Sequence, residues 1–200
     1  MNWLAHIYFS EPSTEYQLGN LLADILRPED RNGFGPAFDR GVECHFAIDR
    51  FTDTHESVIR SRALLHPNYH HYPRVMVDIY YAHSCAVNWT RYCDCPYRTY
   101  VQQFHDAVKN TPLVFPPYAG ERLDQIISEN WLGEYDRISS VARAFARMSL
   151  RTRRPEGAKI AHAADDLQRH YDSFHHDFEE FYPDLCRFIH HWRNRSDSGT

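Results

Sequence analysis

Leu18-Gly19-Asn20-Leu21-Leu22-Ala23-Asp24-Ile25-Leu26 places five branched apolar side chains at i, i+3, i+4, i+7 and i+8, one stripe of a helix that Pro28 stops. The same period recurs outward from this stretch. Residues 39 to 65 read as helical with a break near Thr52 to His55, after a loop marked by Gly33, Gly35 and Pro36. From Arg74 to Tyr92 the repeating positions are Val75, Ile79, Ala82, Ala86 and Trp89. Tyr97 to Lys109 carries Val101, Phe104, His105 and Val108 on one face. Leu123 to Trp131, Ile138 to Leu150 and Ala158 to Trp192 complete the set, with Pro183 as a kink or boundary in the last. No run alternates with the period of two that a strand needs. The fold expected is all-α, a single-domain helical bundle over residues 1 to 193, followed by a disordered tail over residues 194 to 200.

The chain has 200 residues, 42% hydrophobic and 24% charged, which suits one globular domain and excludes a disordered polyampholyte. No apolar run approaches the ~18 residues a membrane span requires. The opening Met1-Asn2-Trp3-Leu4-Ala5-His6 lacks a basic segment followed by an apolar one, so no signal peptide and a cytoplasmic location are expected. Five cysteines without regular spacing fit reduced thiols, and Cys93-x-Cys95 stands too isolated to be half of a zinc site. The net charge of -5 excludes neither an acidic nor a basic partner. Fourteen histidines point to chemistry more directly, because His and Asp together are what a hydrolytic metal site draws upon.

His45 and Asp49 stand four apart on one helix and point the same way, as a ligand pair or as a solvated pair. Asp78 and His83 are five apart on the next long helix. Asp24 stands beside the leucine stripe, where a buried carboxylate would need a partner. His6 is a further contributor. These six residues, His6, Asp24, His45, Asp49, Asp78 and His83, are expected to converge on one metal site. Asp24, Asp53 and His55 are the catalytic candidates, although Thr52-Asp53-Thr54-His55-Glu56 also reads as a helix start with Asp53 as its cap and His55 exposed. The doublets His70-His71, His175-His176 and His190-His191 have members about 100° apart and read as surface residues. Arg143, Arg147, Arg151 and Arg154 recur at helical spacing with little opposing acid, a solvated face or a docking face for an anionic partner. The lack of interleaved aromatics argues against nucleic acid.

Met1-Asn2-Trp3-Leu4-Ala5-His6, Leu18-Gly19-Asn20-Leu21-Leu22-Ala23-Asp24, His45-x-x-Ile48-Asp49-x-Phe51-Thr52-Asp53 and Asp78-Ile79-x-Tyr81-x-His83 together resemble the acyl carrier protein phosphodiesterase family. The resemblance continues in order through Trp131-Leu132-x-x-Tyr135, Met148-Ser149-x-Arg151, Tyr171-x-x-Phe174 and Phe181-Tyr182-Pro183. It implies a helical enzyme distantly related to the HD-type metal phosphohydrolases. Such an enzyme hydrolyses the phosphodiester between 4'-phosphopantetheine and a serine of holo acyl carrier protein. It uses a divalent metal, typically Mn2+, with Mg2+ or Fe2+ as alternatives. The chain departs from the family's usual pattern at Ala82 and Glu43. With an acidic carrier protein as partner, Asn20, Arg143, Arg147, Arg151 and Arg154 become the expected substrate or partner contacts. The competing readings are an HD-like phosphohydrolase of nucleotides or small phosphodiesters, and a non-catalytic module that binds carrier protein.

Overall fold

The computed structural model describes residues 2–150, 152 and 155–197. The described residues form helices and connecting turns, with no strand among them, so the all-α expectation holds. The helices are α1 (Trp3–Tyr8), α2 (Thr14–Leu22), α3 (Pro36–Thr54), α4 (Glu56–Tyr69), α5 (Pro73–Val87), α6 (Tyr97–Lys109), α7 (Pro117–Ser128), α8 (Ile138–Ser149), α9 (Pro155–Lys159), α10 (Ala163–Arg169) and α11 (Tyr171–Asp197). They fall into two compact units, each assembled from separate stretches of chain. One comprises Trp3–Asp49 with Asn88–Glu134, the other Met1–Asn2, Arg50–Val87 and Tyr135–Thr200.

In the first of these units α2 begins at Thr14 rather than near Leu18, because Ser13 in an extended conformation accepts a hydrogen bond from the Tyr16 amide and caps the helix early. The early turn buries Tyr16 in line with Leu18, Leu21 and Leu22. Leu4 and Ile7 of α1, Phe38 of α3, Val101 and Phe104 of α6 and Leu123 of α7 join them. Each such side chain, fully removed from water, contributes roughly 1.5–3 kcal/mol. The expected α6 is found with its stated bounds and face, His105 included.

The second unit packs α4, α5, α8, α10 and α11 around Tyr80, Tyr81, Phe145, Phe174, Phe178 and Phe181, all fully buried. Here Ala82, Ala86 and Trp89 of the stripe read in the sequence are buried, but the first turns of α5 turn another face inward. Met76, Val77, Tyr80 and Tyr81 point inward, while Val75 is exposed and Ile79 half-buried, since the bulky tyrosines find partners on α8 and α11. The long final helix also divides. A 3-10 turn, Ile160–His162, and a break at His170 separate α9, α10 and α11, and Pro183 lies inside α11. Helix α11 runs through Asp197, so residues 194–197, expected in the tail, are helical. Among the described residues no helix is long and apolar enough to cross a membrane.

Candidate metal centre

The Trp3–Asp49 stretch folds three short pieces of sequence onto one another. Helices α2 and α3 approach closely because the crossing is made by glycines. A Cβ at Gly19 would run into the Phe38 carbonyl, and one at Gly41 would meet the Tyr16 carbonyl and come within 2.9 Å of the Asn20 amide nitrogen. One turn beyond Gly41, the close approach lets His45 Nδ1 donate to the backbone carbonyl of Asn20 at 2.7 Å. On the other side of α2, the Asn20 side chain engages α1. Its Oδ1 accepts from His6 Nδ1 at 2.8 Å, and its Nδ2 donates to the His6 carbonyl at 2.8 Å and to Ser10 Oγ at 3.1 Å. Asn20 therefore holds both histidines, one through its side chain and one through its main chain.

These bonds decide which imidazole nitrogen is available. A backbone carbonyl only accepts, so His45 carries its proton on Nδ1. The Asn20 amide has its NH2 committed to the His6 carbonyl, so its oxygen faces His6 and that ring also carries Nδ1–H. Both Nε2 lone pairs are left over. Neither atom has a hydrogen-bond partner, although both side chains are fully buried, and the two rings stack with centroids 4.1 Å apart. The lone pairs face carboxylates. His6 Nε2 lies 3.4 Å from Asp49 Oδ1, and His45 Nε2 lies 3.6 Å from Asp49 Oδ2 and 3.2 Å from Asp24 Oδ1.

The electrostatics call for a positive charge at the point where these groups meet. Burial, then the neighbouring His45, lowers the His6 pKa to about 4, so this imidazole is neutral at pH 7. Burial pushes the Asp49 carboxyl up, but nearby positive charge more than reverses that, holding it below its ordinary value. Two anions facing two nitrogen lone pairs is a donor set for a hard or borderline divalent cation. His6, His45 and Asp49 each present a ligand atom, all within 4.8 Å of one another. Asp24, 58% exposed on the turn after α2, completes the rim where solvent reaches the cluster.

The other expected site residues have partners of their own. Asp78 and His83 belong to the second unit and join no cluster of metal-ligand spacing among the described residues. His83 is buried and donates Nδ1–H to the Tyr135 carbonyl at 2.7 Å. Asp53 is not a cap: it sits inside α3 and pairs with Arg62 at 2.8 Å and Arg74 at 3.0 Å. His55 takes the capping role, its Nδ1 accepting from the Ser57 amide while Nε2 lies 3.4 Å from Asp184. Asn20, expected to meet substrate, is fully buried and committed to His6, Ser10 and His45. Arg143 and Arg147 lie on α8, whereas Arg151 and Arg154 lie outside the described residues. The orienting role of Asn20 had no signal in the sequence beyond its place in the Gly19-Asn20 dipeptide.

Residues 1–185 match the family model described as acyl carrier protein phosphodiesterase. The chain is 26% identical over 189 residues to a protein of that name from Pectobacterium atrosepticum, an alignment covering 94% of this chain and 96% of the relative. It is 27% identical over 186 residues to the Photorhabdus laumondii protein of that name, covering 92% of each. The Yersinia enterocolitica protein is 28% identical over 186 residues, covering 92% of this chain and 94% of the relative. No solved structure matches the chain.

Proposed function

Because the chain belongs to the acyl carrier protein phosphodiesterase family, we propose that it hydrolyses the phosphodiester joining 4'-phosphopantetheine to a serine of holo acyl carrier protein. The products are apo carrier protein and free 4'-phosphopantetheine. The reactive centre of this reading is the cluster of His6, His45, Asp49 and Asp24. The observation that carries it is the pair of buried Nε2 atoms without hydrogen-bond partners, facing the Asp49 and Asp24 carboxylates.

His6, His45 and Asp49 would hold a divalent cation, with Asp24 as a further ligand or as the acceptor of a proton from water. The ion, in our reading Mn2+ rather than Mg2+ or Fe2+, supplies Lewis acidity and lowers the pKa of bound water. Asn20 keeps both Nε2 lone pairs aimed at the cluster by fixing the two Nδ1 protons, the orienting role that outer hydrogen bonds play at metal-bound histidines. Asp49 is nearly enclosed and Asp24 is exposed, so substrate approaches from the Asp24 side. Arg143, on the exposed face of α8, and the half-buried Arg147 supply positive charge toward an acidic carrier protein, steering its approach. The reaction fits the cytoplasm, and none of the five cysteines is in a disulfide.

The test is a mass measurement of holo carrier protein incubated with the purified chain, with added Mn2+ and after chelation. Loss of the prosthetic group that depends on the metal and disappears in Asp49→Asn is the expected result. Intact holo carrier protein under saturating Mn2+ would overturn the proposal.

A further inference from the structure

Arg31 stands at the end of the 3-10 turn Pro28–Asp30, on the loop that leaves Asp24. Its guanidinium lies over the ring of Phe46, with Cζ 5.2 Å from the centroid. The other neighbour of that ring is the metal-centre histidine next to it in sequence. The His45 imidazole meets Phe46 edge-on at 5.4 Å. One aromatic ring thus separates the cation from the ligand, and it is 41% exposed, an unusual state for a phenylalanine.

Neither Arg27 nor Arg31 pairs with a carboxylate among the described residues, and of the two it is Arg31 whose aromatic platform adjoins His45. The neighbours of Arg31 are committed elsewhere, because Asp30 accepts from the Tyr118 hydroxyl at 2.6 Å, and Asp24 faces His45. Among the described residues no carboxylate lies within ion-pair distance of Arg31, and its buried Nε has no hydrogen-bond partner. An arginine packed on an aromatic face without a carboxylate retains its planar fork for an incoming oxyanion.

The charge balance of the centre says which oxyanion. Asp24 and Asp49 offset positive charge of a divalent ion, and a phosphodiester brings a further negative charge that a nearby guanidinium can meet. We propose that Arg31, steadied on Phe46, binds a non-bridging phosphate oxygen of the substrate and keeps that phosphate after cleavage. This rests on the phosphodiesterase reading for its substrate, but the binding of a phosphate group is separable from turnover. The structural alternative is that Arg31 only shields Phe46 from water.

Titration calorimetry of the purified chain with inorganic phosphate, with and without Mn2+, tests the binding. Replacing one partner of a charged, two-pronged hydrogen bond costs on the order of 10–100-fold in affinity, and Arg31→Gln should show that loss. Arg31→Lys keeps the charge without the fork and should recover part of it. Phe46→Leu, which keeps apolar cover but removes the ring, should weaken phosphate several-fold. Arg27→Gln, removing an equal charge from a guanidinium stacked on Tyr118 at 4.9 Å, should leave it little changed. On holo carrier protein, Arg31→Gln should raise KM and lower kcat, while Mn2+ affinity stays at the parent value. Equal phosphate affinity in parent and Arg31→Gln, or equal losses in Arg27→Gln and Arg31→Gln, overturns the proposal. Failure of the parent to hydrolyse holo carrier protein would overturn the substrate reading alone, since phosphate binding is measured without it.

Discussion

Asn20→Ala is the substitution that separates orientation from ligation. Asn20 is fully buried and touches no proposed metal ion, yet its side chain makes three hydrogen bonds. Truncation leaves the His6 Nδ1–H without an acceptor, while the His6 carbonyl retains the Ser10 hydroxyl at 2.8 Å. One stranded buried donor, with the lost amide packing, costs roughly 2–4 kcal/mol, which lowers Tm on the order of 5–10 °C in a chain of this size. The functional loss has a different origin. Freed of Asn20, His6 gains by moving its proton to Nε2, where Asp49 at 3.4 Å accepts it, and the ligating lone pair is gone. Mn2+ affinity should therefore fall ~10–100-fold. Free Mn2+ measured by electron paramagnetic resonance gives the affinity, and urea unfolding gives the stability. Asn20→Asp supplies the contrast, because it keeps an acceptor for His6 Nδ1–H and loses both donors. It should lose stability through a buried carboxylate facing a carbonyl, yet bind Mn2+ within several-fold of the parent. If Asn20→Ala binds Mn2+ as tightly as the parent, the tautomer argument is wrong.

Three further outcomes follow from other parts of the molecule. Gly41→Ala puts a methyl against the Tyr16 carbonyl, so α2 and α3 must separate. We expect Mn2+ affinity to fall by at least tenfold, with far-ultraviolet circular dichroism little changed, whereas Gly120→Ala, with open space at its Cβ, should be silent in both. Replacing Arg143 and Arg147 with Glu should raise KM for holo carrier protein ~10-fold at low salt and flatten its salt dependence, with a small phosphodiester turned over at the parent rate. A parallel loss on the small substrate would assign these arginines to the phosphate site or the fold. Burial lowers His83 and His105 below their ordinary value of 6.5, so beneath that pH the unfolded chain binds more protons than the folded one. Stability is thus full above pH 6.5 and falls as the pH drops through the folded-state values, read as a lower Tm at pH 5.5 than at pH 8, with a shallower slope in His105→Leu.

The all-α class and the bounds of α6 and α8 were legible because they are local. A period of 3.6 survives in any tertiary setting, and α6 follows its apolar stripe residue by residue. The proximity of His45 and Asp49 was legible for the same reason, since i and i+4 share a face wherever the helix goes. What the periodicity left open is which face of α5 turns inward, and the answer came from tyrosines whose partners lie on α8 and α11. The final helix likewise looked continuous, because nothing local to His170 marks the break.

Membership in a shared centre was beyond spacing altogether. His6, Asn20, Asp24 and His45 are brought together by a crossing whose closeness depends on Gly19 and Gly41, two residues that carry no polar group and announce no chemistry. Asp78 and His83, five apart in sequence, belong to the other unit, where the fold gives His83 Nδ1 the Tyr135 carbonyl. Sequence determines which atoms are presented along each helix. The close approach of the backbones decides which of them meet, which nitrogen keeps its lone pair, and where positive charge is required.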